Sequence, residues 1–269
     1  MSLRINTNTD ALNAHRQLQA TSLAMSKSME KLSSGLRINR AADDAAGLAI
    51  SEKMRAQIRG VAQANRNAMD GISMVQSAEG ALNEVHAILE RVRELAVQYN
   101  NGTLSTADKS AITAEIVQRS SECSRIVSQM TFNGINVLGS TSPITFQVGA
   151  NTGETIILTG MNLGGTYFDS VFVGTFTTGA DIDAIDASLS SIADARAGLG
   201  AIQNRLEHTI ANLATYHENL SAAESRIRDT DMALEMTTFT KLQVLQQSGV
   251  AMLGQANQAP NAVLSLIRG

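Results

Sequence analysis

The chain has 269 residues, a formal net charge of −4, 3% aromatic residues, no Trp and only 2 Pro. So few aromatics are poor material for a thick globular core, and the slight acidic excess argues against nucleic acid as a partner, since a phosphate-binding surface needs concentrated basic charge. Cys123 is the single cysteine, which excludes an internal disulfide, and no stretch is apolar and long enough for membrane insertion.

From Ser2 to about Asn39, apolar residues at Leu12, Leu18, Met25, Met29, Leu32 and Leu36 make a thin helical stripe broken by long polar intervals. A helix with so narrow an apolar face is marginal in water, so this one is either packed in cis or loose until something docks on it. The stretch MSLRINTNTDALNAHRQLQ lacks the apolar core of a cleaved secretory signal, which by itself reads as cytoplasmic. In LSSGLRINRAADDAAGLAI, Leu32 to Ile50, Ser33, Ser34 and Gly35 weaken the first helix, while Asp43 and Asp44 stand where caps would start the next. This is a connector between two helical layers.

The run from Met54 to Tyr99 organises the rest. Met54, Ile58, Val61, Ala68, Ile72 and Val75 lead into Ala78, Leu82, Val85, Leu89, Val92, Ala96 and Tyr99, which alternate steps of three and four as a heptad seam. Such a helix is on the order of 70 Å long and requires equally long helical partners, from this chain or from copies of it. Asn100, Asn101 and Gly102 break it, and Ser105 with Asp108 caps a third helix with its seam at Ile112, Ile116, Arg119, Cys123, Ile126 and Met130. On that stripe Cys123 reads as a buried, inert thiol.

Composition changes from Thr141 to Ala180, where there is no Lys or Arg. The runs ITFQV, ETIIL and SVFVGTF, separated by Gly, Asn and Thr, predict strands in β-hairpins, with Asn133–Gly134 as a turn signal just upstream. Helical spacing resumes at about Asp181, through Ile185, Leu189, Ile192, Leu199, Ile202, Leu206, Ile210, Leu213, Tyr216, Leu220 and Ile227, and supplies the long partner. The tail from Arg228 carries Met232, Met236, Phe239, Leu242, Leu245, Met252 and Leu253, after which Pro260 is expected to interrupt or bend the helix before Val263, Leu264, Leu266 and Ile267. The predicted fold class is mainly α: a long antiparallel helical bundle with a small β-hairpin region and terminal helices that pair. The expected segments are 1–43 (core helix and connector), 44–140 and 181–227 (helical rod halves), 141–180 (hairpin region) and 228–269 (C-terminal core helix).

Five stretches closely resemble bacterial flagellin: the connector at Leu32 to Ile50; NRNAMDGISMVQSAEGALNEVHAILERVRELAVQYNNGT at Asn65 to Thr103; TFQVGANTGETI at Thr145 to Ile156; RDTDMALEMT; and LQQSGVAMLGQANQAPNAVLSLIR. With about 40 residues between the helical halves, the resemblance is to a short form without large outer domains. It implies a self-polymerising filament subunit, a helical homopolymer, exported without a cleaved signal by the flagellar type III apparatus; localisation becomes extracellular, which revises the cytoplasmic reading. It further implies a flagellin export chaperone on the C-terminal tail, and filament cap and hook-junction proteins as neighbours. The two ends are expected to order only on assembly, with polymerisation seams at Leu12, Leu18, Met25, Met29 and Leu32 and at Phe239, Leu242, Leu245, Met252, Leu253, Val263, Leu264 and Leu266. ERVRELAVQ, Glu90 to Gln98, is similar to the segment recognised by the vertebrate innate receptor TLR-five, which carries over Arg91, Leu95 and, on the adjacent helix, Glu115. VLSLIR, Val263 to Arg268, resembles the segment sensed by intracellular immune receptors. Residue chemistry alone also allows a solvated face with ordinary ion pairs at Glu90 to Gln98.

Enzyme readings have little support. His15, His86, His208 and His217 lie far apart, His217–Glu218 lacks a second His four positions on, and GMNLGG has no Lys for a phosphate loop. No catalytic residue, cofactor or metal site is predicted. Two other classes stand beside the filament subunit: a hook–filament junction protein with similar ends, and a secreted binding module.

Overall fold

The computed structural model describes residues 7–163 and 180–268, and side chains at 7–163 and 182–258. The described elements run α1 (Thr9–Ser34), α2 (Ala45–Tyr99), α3 (Thr106–Gln129), β1 (Thr131–Phe132), β2 (Ile135–Asn136), β3 (Ile144–Gln147), β4 (Thr155–Leu158), α4 (Ala180–Arg228) and α5 (Met232–Arg268). The expected strand in SVFVGTF lies outside the described residues. The chain divides into two compact units, one of Gln57–Glu218 and one of Met1–Ala56 with Asn219–Gly269. These limits fall inside α2 and α4.

In the unit of Gln57–Glu218, α2 buries Val61, Ala64, Ala68, Gly71, Val75, Ala78, Leu82, Val85, Leu89, Val92 and Ala96, an alternation of three and four that never lapses. The regular heptads therefore begin at least two turns before Ala78. Ala64 and Gly71 carry little apolar signal, and that hid the phase; Ile72, which the spacing selected, is only partly buried. At Gly71 a Cβ would stand 3.2 Å from both Leu206 Cδ1 and Phe146 Cδ1, so the glycine lets two elements close on α2 at one point. Facing it, α4 buries Ile185, Ile192, Leu199, Leu206 and Leu213 at intervals of seven. The helices are antiparallel: Arg93 of α2 binds Asp186, while Gly71 meets Leu206.

The third helix is capped as its sequence predicts. Ser105 Oγ accepts from the Asp108 N–H, and the Asp108 carboxylate accepts in return from the Ser105 N–H. Its buried positions are Ile112, Ile116, Cys123 and Val127, so the expected seam slips: Arg119 is an exposed ion-pair partner and Val127 takes the place given to Ile126. After α3 the chain turns at Asn133–Gly134, both at positive φ (49° and 80°), to pair β1 with β2. β structure thus begins at Thr131, upstream of the composition change. In the second hairpin β3 and β4 pair antiparallel with Phe146 opposite Ile156; Phe146, Ile156 and Leu158 face the core and Ile157 faces out. The hairpin is tied to α2 by Asn67 Nδ2, which donates to the Gln147 carbonyl at 3.0 Å.

In the other unit, α1 and α5 form an antiparallel pair, held at its connector end by backbone hydrogen bonds between 35–37 and 228–230. Asp44 Oδ1 accepts from the Gly47 N–H at 2.8 Å to start α2, and the Asp43 carboxylate accepts from the Arg40 N–H at 3.0 Å. Ile38 is fully buried beneath this turn.

Candidate assembly face and charged cluster

Both ends of the α1–α5 pair are fixed by specific hydrogen bonds. Asn8 caps α1 by accepting from the Ala11 N–H at 3.0 Å, and its Nδ2 donates to the Ala256 carbonyl at 2.7 Å. At the far end Gly35, in the left-handed region at φ 72°, donates to the Lys31 carbonyl, and its own carbonyl accepts from the Thr230 N–H at 2.9 Å. Between these ties Ala11, Ala14, Leu18, Thr21, Met25, Ser28 and Leu32 of α1 are partly or fully buried, flanked by the partly buried Ser22, Glu30 and Lys31, and on α5 the partly buried positions are Glu235, Phe239, Leu242, Gln246, Gly249, Leu253 and Ala256. Each set alternates three and four, the spacing of a two-stranded coiled-coil seam. Leu18 meets Gly249, and in that register Phe239 falls opposite Ser28 and Leu253 opposite Ala14, large against small, while Leu242 falls opposite Met25.

Of the residues singled out as polymerisation seams, Leu18, Met25, Leu32, Phe239, Leu242 and Leu253 line this intramolecular seam. Leu12, Met29, Leu245 and Met252 do not: they are 60%, 52%, 47% and 65% exposed. Thr21, Ser28, Gln246 and Gly249 hold intramolecular seam positions without an apolar signature. Val263, Leu264 and Leu266 lie outside the described side chains, although the α5 backbone continues to Arg268. It does so through Pro260, which does not interrupt the helix as its chemistry suggests.

Large apolar residues also stand outside the seam, scattered among polar residues on α1 and more densely on α5. Leu12 and Leu23 stand opposite the seam on α1, and Leu234, Met236, Val244, Leu245, Val250 and Met252 are all exposed on α5. Two adjacent rows of α5, Met236–Thr240–Val244 and Thr237–Lys241–Leu245, flank a shallow, open groove.

A different constellation occupies α2 and α3. Arg91 Nη1 donates to Glu94 Oε2 at 2.6 Å, and its Nε lies 3.6 Å from Glu115 Oε1, which Arg119 approaches to 3.4 Å. Hydrogen bonding to Glu94, then the charge of Glu115, raises the Arg91 pKa above its ordinary value. Arg91 and Glu115 therefore come together, part-exposed. Leu95 does not join them: it is 3% exposed and packed with Val92, Ala96, Ile112, Ile116 and Ile185. The resemblance grouped Leu95 with Arg91 and Glu115, but three packed helices turn its side chain inward. Cys123 is buried, and burial pushes its thiol pKa up to about 12, which makes it unreactive. No described helix is long and apolar enough to cross a membrane.

Residues 5–142 match the family model described as the bacterial flagellin N-terminal helical region, and residues 182–267 match the bacterial flagellin C-terminal helical region. The chain is 53% identical over 275 residues to the flagellin of Halalkalibacterium halodurans, covering 98% of this chain and 99% of the relative. It is 46% identical over 304 residues to the flagellin of Bacillus subtilis, covering 99% and 100%. A putative flagellar hook-associated protein from Vibrio parahaemolyticus shares the fold, with a TM-score of 0.57 at 14% identity over 70% of this chain and all of that one.

Proposed function

The chain belongs to the bacterial flagellin family, structural subunits of the extracellular flagellar filament and not enzymes, and from this we propose that the outward faces of α1 and α5 carry the contacts of polymerisation. The observation that carries the reading is that α5 is apolar on its seam and beyond it. A helix that leaves this many large apolar side chains exposed beside its buried seam has its working state inside an assembly. Polymerisation then covers Leu12, Leu23, Leu234, Val244, Leu245 and Val250, and one repeated head-to-tail contact gives an open helical polymer.

The same faces must be kept apart before assembly. On this reading the chain leaves the cell through the flagellar type III apparatus, an export chaperone covers the C-terminal tail beforehand, and cap and hook-junction proteins meet the subunit at the two ends of the filament. The test is extension of filament seeds by purified chain, followed by electron microscopy. Leu234→Asp with Leu245→Asp is expected to keep helical content and abolish elongation, as is a truncation lacking 228–269. Growth of either at the wild-type rate refutes the proposal.

A second reading rests on the Arg91–Glu115 pair. Two half-exposed opposite charges on neighbouring helices support docking of a TLR-five-type receptor, with Leu95 acting beneath them by holding the helix. Arg91→Ala is expected to lower receptor activation at least tenfold without unfolding the chain; unchanged activation removes this reading. VLSLIR at the C-terminus is the corresponding candidate for intracellular receptors.

A further inference from the structure

Among the described large apolar residues exposed in the unit of α1 and α5, four of eleven are methionines: Met29, Met232, Met236 and Met252. In the other unit one of six such described residues is a methionine, Met69, so the concentration is local. Their exposures are 52%, 46%, 50% and 65%, whereas Met74 in the bundle core is 5% exposed. Met29 stands four residues after seam residue Met25, and Met236 forms one wall of the α5 groove.

A thioether at such a position has two properties. It adapts its shape to a partner surface, and it is open to two-electron oxidants in solution. We propose that Met29, Met232, Met236 and Met252 are peroxide modification sites through which oxidation of the unassembled chain blocks its incorporation. The inference rests on the assembly reading above. In each step the sulfur lone pair attacks one oxygen of hydrogen peroxide, the O–O bond breaks, and the products are one methionine sulfoxide and one water; sulfur is oxidised by two electrons and the peroxide reduced by two. The product is polar and chiral on a face whose assembly depends on apolar contact, and it carries a strong acceptor that a dry interface leaves unpaired. Incorporation buries the same sulfurs, so the order of events decides the outcome: a chain oxidised first is rejected, while a chain incorporated first is shielded.

The test uses full-length chain, filament seeds and hydrogen peroxide. Peptide mass mapping is expected to show oxygen uptake at the four sites in free chain and at least tenfold less in filaments. Peroxide-treated chain is expected to elongate seeds at least tenfold more slowly than untreated chain, with recovery after methionine sulfoxide reductase treatment. A variant with all four changed to Leu is expected to elongate with or without peroxide, even though Met69, 52% exposed in the other unit, still takes up oxygen. Where that variant fails to fold, reductase recovery of the wild type decides alone. Treated chain that elongates at the untreated rate with all four sulfoxides in place overturns the inference and leaves the assembly reading standing. Untreated chain that fails to extend seeds overturns both.

Discussion

Leu18 of α1 lies against Gly249 of α5, its Cδ1 3.3 Å from where a Cβ on the glycine would stand. The layer has room for one branched side chain. Gly249→Ala combines a helix-propensity gain of up to about 1 kcal/mol with a tight contact that Leu18 can relieve by a small shift, so its net effect is expected near zero. Gly249→Leu has no such escape and is expected to cost about 1–3 kcal/mol of α1–α5 pairing. Circular dichroism melting of the two variants, side by side, checks the difference; equal melting would mean that the helices do not pair in this register.

Arg228 closes α4 with its side chain 10% exposed and Nη1 2.6 Å from Glu52 Oε1, while its carbonyl accepts from Arg37. Arg228→Ala removes packing as well as charge, whereas Glu52→Gln touches a carboxylate that is 52% exposed. The first is expected to cost about 1–3 kcal/mol and the second under about 1 kcal/mol. Limited proteolysis near Arg37 and Arg40 is the measurement, with cleavage rising much more in Arg228→Ala.

Cys123 is expected to be silent toward thiol reagents in the folded chain. With its pKa pushed up to about 12 by burial, roughly one thiol in ten thousand is ionised at pH 8, against about a quarter for a free cysteine. Thiol titration with and without denaturant should show reaction only on unfolding. Cys123→Ser places a hydroxyl in the same apolar site and is expected to destabilise by about 1–3 kcal/mol.

Stability is expected to hold above about pH 5 and to fall in acid. The Asp186 carboxylate is held below its ordinary 3.8 by Arg93, Asp108 by Ser105, and Asp43 by the Arg40 and Asn39 N–H groups; Glu122 is held below 4.5 by Arg125. Each folded-state value is depressed, so the stabilisation is present above the ordinary value and is lost as pH falls through the lowered one. These groups are exposed, and salt should shrink the effect. Thermal melting from pH 7 to pH 2.5 checks it, with Asp186→Asn expected to show a shallower decline; a midpoint that rises on acidification would refute the assignment.

Long helices were legible from sequence because large apolar residues repeated at regular steps, and caps such as Ser105–Asp108 and the Asn133–Gly134 turn have local chemistry that admits few alternatives. Phase was harder. Where a seam position is held by Gly71, Ser28 or Gly249, the apolar signal vanishes although the geometric need for a small residue is strongest, and a large neighbour such as Ile72 stands out instead. Leu95 shows a different limit: a resemblance places it in a segment but does not say which way it faces, and its burial is decided by three packed helices. Pro260 by its own chemistry interrupts or bends a helix, and the described backbone stays helical across it.

The tie between Asn8 and Ala256 joins positions 248 residues apart. Nothing made earlier in synthesis can stand in for that contact, so the first helix waits for nearly the whole chain before its seam exists. Closing so distant a pair is slow, and until it closes the N-terminal segment has no intramolecular competitor for whatever must thread or guide it. A subunit whose ends complete one another last is, by topology alone, slow to mature prematurely.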